Sequence, residues 1–220
     1  MRWKYLVLAG SAIAAAAAVS ATAAGEFEAD VLDELNALRA NPAAYGRELA
    51  ESRDRYDGNI LLGRYEDEID IQTHEGVAAL DEAVAALRRA RAVATLERGE
   101  ILARAAADHV AAQSRSGEVG HRSRGRGPGE RAIARGGGRY VGEVITYGHG
   151  DPVSVIDQLL IDDGVPGRGH RFALLEARYR YAGAACGRHS VHRTMCVIML
   201  SETPDGSAPP PPKRPAARPD

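Results

Sequence analysis

Two apolar runs near the C-terminus, Tyr179 to Gly187 and Thr194 to Ser201, are joined by the short stretch RHSVHR. Strand-like runs on either side of so short a connector predict an antiparallel hairpin. The only two cysteines, Cys186 and Cys196, fall at nearly equal distances from its tip, one on each run. A cross-strand disulfide is geometrically reasonable there.

Most of the upstream sequence is patterned for helices. Val31, Leu32, Leu35 and Leu38 lie at helical spacing within 26–41, and Asn41-Pro42 caps one helix and starts another over 42–53. A third helix is expected over 75–91, with Val77, Leu80, Val84 and Leu87 on one stripe. A longer one follows over about 97–115, with His109 on its apolar face as a packed, hydrogen-bonded histidine. Between them, residues 54–74 hold no steady period and read as an insertion or long loop. Residues 117–138 are rich in Gly and Arg and read as a loop, with one helical turn between Glu130 and Arg135. Tyr140 to Tyr147 alternates like a strand, and Asp151-Pro152 opens a helix carrying Val153, Ile156, Leu159 and Leu160. From Thr203 to the end the Pro/Ala/Arg-rich sequence reads as a disordered tail over 203–220. His149, His189 and His192 fall on turns and are expected at the surface.

The N-terminus has Arg2 and Lys4, an Ala-rich uncharged stretch to Ala24, and Ala21-Thr22-Ala23 at its exit. That is the pattern of a secretory signal peptide over 1–24, its apolar core short for crossing a bilayer. Loss of Arg2 and Lys4 moves the formal net charge from −2 to −4, which argues against nucleic acid as a partner. Export, to the periplasm or beyond, agrees with an even cysteine pair held as a disulfide.

Common catalytic signatures are missing. His74-Glu75 is not followed by a zinc-helix histidine, and there is no G-x-S-x-G elbow, phosphate loop or C-x-x-C pair. Nothing calls for a nucleotide or flavin cofactor. The residues left to do chemistry are His121 after Gly120, Glu130 before Arg131, Glu143 after Gly142, and His170 in Gly169-His170-Arg171. Two imidazoles can bind a metal such as zinc while carboxylates orient them from behind. A histidine and a carboxylate can instead activate water, with Glu143 or Glu130 as the candidate catalytic acid or base.

In order, the chain presents A-A-x-x-H, G-H, E-R, G-E, then D-D-G-V-P-G-R-G-H-R and Y-A-G-A-A-C-G. This ordered set over residues 28–202 resembles the CAP superfamily, the SCP-like domains of cysteine-rich secretory proteins, antigen 5 and pathogenesis-related 1 proteins. The resemblance implies an α+β fold, a three-layer α-β-α sandwich with a central antiparallel sheet. It also implies a large cleft holding His121, Glu130, Glu143 and His170, with zinc on the histidine pair in some members and lipids bound by others.

The sequence departs from the family where an amide usually follows Gly142-Glu143 and where another usually follows His170-Arg171. Three readings follow: a binding domain for a metal, lipid or other small apolar or anionic ligand; a metal-assisted hydrolase or peptidase; and a structural envelope protein. No nucleophile is placed by motif, which favours binding over catalysis. The arginines at 122, 124 and 126 form a basic rim suited to an anionic envelope polymer.

Overall fold

The computed structural model describes residues 12–64, 70–209 and 211. Four helices lead into and around the sheet: α1 (Ala12–Ala40), α2 (Pro42–Glu51), α3 (Val77–Arg89) and α4 (Glu100–Ser116). Residues 1–11 of the expected leader lie outside the described residues, and residues 12–24 begin α1. Asn41 caps α2 as its sequence suggests, its side chain accepting the Ala44 N–H at 3.1 Å. Gly46 lets α2 press onto α3, since a Cβ there would sit 2.9 Å from Leu87 Cβ.

The main sheet has four strands: β4 (Glu97–Arg98), β5 (Val141–Tyr147), β6 (Tyr181–His189) and β7 (Arg193–Ser201), ordered β4-β6-β7-β5. β6 and β7 form the hairpin, and Cys186 lies directly opposite Cys196, to which it is disulfide-bonded. β5 pairs antiparallel to β7 along its whole length. The sheet is antiparallel except at one edge, where the short β4 runs parallel to β6. Residues 97–98, expected as the first turn of the long helix, are that edge strand.

β7 explains the layers. Cys196, Ile198 and Leu200 face one core and Met195, Val197 and Met199 face another, all buried. A strand apolar on both faces needs a layer on each side. On the first side sit α1, α2, α3 and α6 (Pro152–Ile161), contributing Leu35, Leu38, Leu80, Leu87, Ile156 and Leu160. On the second sit α4 and α5 (Pro128–Ala134), contributing Leu102, Ala105, Ala106, Val110 and Ala132. Each Leu, Ile or Val side chain among them contributes roughly 1.5–3 kcal/mol on burial. Gly183 of β6 admits α4 to the sheet, because a Cβ there would lie 2.1 Å from the Ala103 nitrogen. The α-β-α sandwich is thus built from two half-cores sharing one sheet.

Three segments differ from their sequence reading. The 54–74 insertion contains a small antiparallel sheet, β1 (Tyr56–Asp57), β2 (Ile60–Leu61) and β3 (Ile71–Gln72), after a 3-10 turn over Ser52–Arg55. Residues 65–69 within it lie outside the described residues. The segment after Thr203 starts as an ordered turn, not as a tail: the Gly138 N–H donates to Asp205 O at 3.0 Å and the Tyr140 N–H to Gly206 O at 2.9 Å. Of the remaining tail, 210 and 212–220 lie outside the described residues. His189, expected at the surface, is buried, with its Nε2 on Glu118 O at 3.0 Å and its Nδ1 accepting the His192 N–H at 3.1 Å. No helix among the described residues is long and apolar enough to cross a membrane.

Candidate functional site

His170 lies in the first turn of α7 (Gly169–Leu174), a short helix packed against β5. The D-D-G-V-P-G-R-G-H-R run holds it there by a chain of contacts. Asp162 ends α6 in the left-handed region, at φ 57°, and its carboxylate accepts both the His170 backbone N–H (2.9 Å) and the ring Nδ1–H (2.6 Å). Asp163 accepts the backbone N–H groups of His74 and Glu75 at 2.6 and 2.8 Å. Arg168 forks onto Glu75 with two bonds of 2.7 Å and also reaches Glu82 at 2.7 Å. Those hydrogen bonds, chiefly from Arg168, bring the Glu75 carboxyl down to about 2. Arg171, buried, donates to the last carbonyls of α6, Leu160 O at 2.6 Å and Ile161 O at 3.0 Å. The run is a clamp with His170 as its presented face.

His121 is held differently. Its Nδ1–H donates to Glu143 Oε1 at 2.9 Å, and the other carboxylate oxygen of Glu143 pairs with Arg131. Arg131 also donates to His121 O at 3.0 Å and to Arg126 O at 3.1 Å, so the histidine is gripped at ring and backbone by one buried ion pair. The Glu143 side chain is 1% exposed and the His121 ring 48%. Behind them, the Nε2–H of buried His109 donates to Gly120 O at 2.8 Å, and its Nδ1 faces Ser123 Oγ at 2.9 Å. Burial first, and the Arg131 charge second, push the His109 imidazole below its ordinary value. Gln113 and Tyr147 complete the support: the Gln113 amide donates to Gly120 O and Tyr147 OH accepts the Gly120 N–H, at 2.8 and 2.9 Å.

Two of the four expected site residues, His121 and Glu143, are thus in direct contact. Glu130 is not with them. Its carboxylate accepts the Gly127 N–H at 2.7 Å at the start of α5, which holds it below the usual carboxylate range. His170 has Asp162 in the place where Glu130 or Glu143 was expected. Both histidine pairs flank β5, the strand at the edge of the main sheet.

His170 also lines a cleft of about 580 Å³, which has the insertion sheet on one side and α6 on the other. Leu61, Ile71, Leu159, Ile161 and Val165 give it apolar walls, and Arg55 and Arg193 lie on its lining. At its side, Asp157 accepts the Tyr45 hydroxyl at 3.1 Å, and burial pushes its carboxyl up to about 7. His121, Glu130 and Glu143 are not on this lining.

Against known proteins, the sequence model of the cysteine-rich secretory protein family, CAP, matches residues 82–200, just over half of the 220 residues. The chain belongs to the CAP family. The match runs from within α3 to Leu200 in β7 and takes in all four expected site residues, while the insertion lies outside it. No curated protein matches the chain. Among solved structures, it is similar to an extracellular protein containing an SCP domain from Bacillus anthracis str. Ames, at 21% identity and a TM-score of 0.43. That alignment covers 50% of this chain and 35% of the other, so the chain spans about a third of that relative's length.

Within this CAP domain, sequence reasoning missed Asp162 and Arg131, the residues that tie down the two histidines. Asp162 was signalled only as one of two adjacent acids, and Arg131 only as the residue that follows Glu130 in the E-R pair. The cleft's insertion wall had no signal beyond its apolar triplet Ile60-Leu61-Leu62.

Proposed function

We propose that the protein is an exported CAP-domain binding protein whose cleft takes a small ligand with an apolar body and an anionic or hydrogen-bonding end. The observation carrying this reading is the cleft itself, about 580 Å³ with apolar walls, Arg55 and Arg193 on its lining, and the oriented His170 beside them. That volume is in the range of small-molecule sites, and the mix of apolar walls with a few polar groups fits a lipid-like molecule. The disulfide supports export. Hydrolysis is the weaker reading, because both oxygens of Glu143 are already engaged by His121 and Arg131, and Glu130 is engaged at the start of α5.

The test is a titration with a fluorescent long-chain fatty acid. Saturable binding is expected, weakened roughly tenfold or more by Leu61→Glu with Ile71→Glu, which place charge on the apolar wall. Equal binding by wild type and this variant contradicts the cleft as the site.

A divalent metal is the second reading, favoured by one specific arrangement. Both His121 and His170 spend Nδ1–H on a buried carboxylate, the pattern by which proteins orient metal-ligating imidazoles. Neither Nε2 has a hydrogen-bond partner among the described residues. The donor set fits zinc in kind and only partly in number. Among the described residues, no three His, Cys, Asp or Glu side chains stand together as a metal-holding group. A zinc ion would polarise a bound water or ligand, while Glu143 and Asp162 would keep each ring in one tautomer and orientation. Zinc titration of wild type beside His121→Ala/His170→Ala tests it, with weak uptake expected in wild type only. The same uptake by both rules the histidine pair out.

A further inference from the structure

A second concavity, of about 410 Å³, lies on the outer layer, walled by Asp108 and Ala112 of α4, the Ser123–Arg126 turn, Arg131 of α5, and Arg135 just after that helix. It shares no residue with the cleft. Four arginines line it, and their charges are not balanced within it. Arg135 is spent on Asp108, with its Nε on Oδ2 at 2.8 Å and a second bond to Oδ1. The pairing holds the Asp108 carboxyl below its usual range. Arg131 is 3% exposed and faces Glu143 through one nitrogen, yet its Nε is buried with no hydrogen-bond partner among the described residues. Arg124 and Arg126 are exposed, and their guanidinium groups have neither a hydrogen bond nor an ion pair among the described residues. Counting Asp108 and Glu143 against the four arginines leaves two positive charges at one pocket, on a chain whose overall charge is negative.

The turn that presents these arginines is built for it. Ser123 and Arg126 exchange backbone hydrogen bonds of 3.0 and 2.9 Å, which holds Arg124 in the left-handed region at φ 49°. That conformation is costly for a side chain without a local hydrogen bond and persists where the surroundings impose it. The Ser123 hydroxyl is not a free donor. The Nε2–H of His109 is on Gly120 O, so its Nδ1 accepts the Ser123 O–H. The side-chain donors left on the lining are therefore guanidinium N–H groups alone. One planar fork satisfies a carboxylate, whereas several converging forks suit an anion with more than two acceptor oxygens.

We propose that this pocket binds the phosphate group of a phosphomonoester or phosphodiester. Its volume leaves room beyond the phosphate for the group to which it is esterified. Arg122, which belongs to the same basic stretch of sequence, is not part of the pocket wall, and its guanidinium donates back to Gly125 O.

Calorimetric titration of the full chain with inorganic phosphate at low ionic strength tests the site. Saturable binding is expected, weakened roughly tenfold or more by Arg124→Gln/Arg126→Gln and within about twofold of wild type in Arg122→Gln. Both substituted arginines of the double variant are exposed and unpaired, so its fold is expected to persist, as circular dichroism would show. Parallel titrations with glycerol 3-phosphate and with phosphatidylglycerol vesicles separate the two sources of such a group. Vesicle binding displaced by inorganic phosphate assigns a lipid headgroup, and glycerol phosphate uptake without vesicle binding assigns a soluble ester. Absence of saturable phosphate binding by wild type, equal binding by the folded double variant, or an equal loss in Arg122→Gln overturns the proposal. Vesicle binding alone, with neither soluble phosphate taken up, overturns it as well, because diffuse attraction to a charged surface needs no pocket.

Discussion

His121 and His170 were legible as a pair of glycine-flanked histidines, and the structure ties each one by Nδ1 to a buried carboxylate. Of the two acids expected beside the histidines, Glu143 contacts His121. Asp162 could not be singled out from Asp163, since only the left-handed end of α6 aims one carboxylate at His170 and the other at 74–75. Glu143→Gln is expected to destabilise the fold by about 3 kcal/mol, because it leaves Arg131 buried with its charge uncompensated. Urea unfolding measures this, and a loss under about 1 kcal/mol would show that the pair contributes little. His109 adds a pH dependence. Its neutral form is favoured in the fold, so the unfolded chain takes up a proton more readily below the ordinary histidine value of about 6.5. Stability is therefore kept above that pH and declines as pH falls below it. His109→Gln should flatten the fall in melting temperature between about pH 7 and 5, and an unchanged slope would assign it to other groups.

Elements with a long period were readable and short ones were not. α3, α4, α6 and the β6–β7 hairpin follow from apolar stripes, caps and alternation, whereas β1 to β4 are two residues each and carry no period to detect. Their consequence is functional, because the insertion sheet forms one wall of the cleft. The ordered turn over 203–207 was hidden for a related reason: its contacts are backbone bonds to 138–140, which composition does not report. The disulfide was legible from position alone. Cys186→Ala/Cys196→Ala should cost about 2–3 kcal/mol in unfolding free energy, given the short loop it closes. Reduction of the wild type should give the same loss, and no change in the urea midpoint would mean the hairpin is held by its two cores alone.

At the scale of the molecule, one sheet with opposite faces on separate cores places its edge strand β5 between the two histidine pairs and leaves room beside α6 for the cleft. Antiparallel pairing of a disulfide hairpin, helices on both sides and a CAP-like order of motifs were all readable from sequence. That His121 and Glu143 are the two of the four expected site residues in direct contact was not, because spacing along a chain does not say which loop folds over which edge. The proposed binding site is the cleft. Hydrogen exchange with and without a saturating fluorescent fatty acid tests that most directly. Slower exchange is expected over residues 56–64, 70–73 and 148–165, with the 122–139 segment unchanged. Protection confined to 122–139, or none in the cleft walls at saturation, would contradict it.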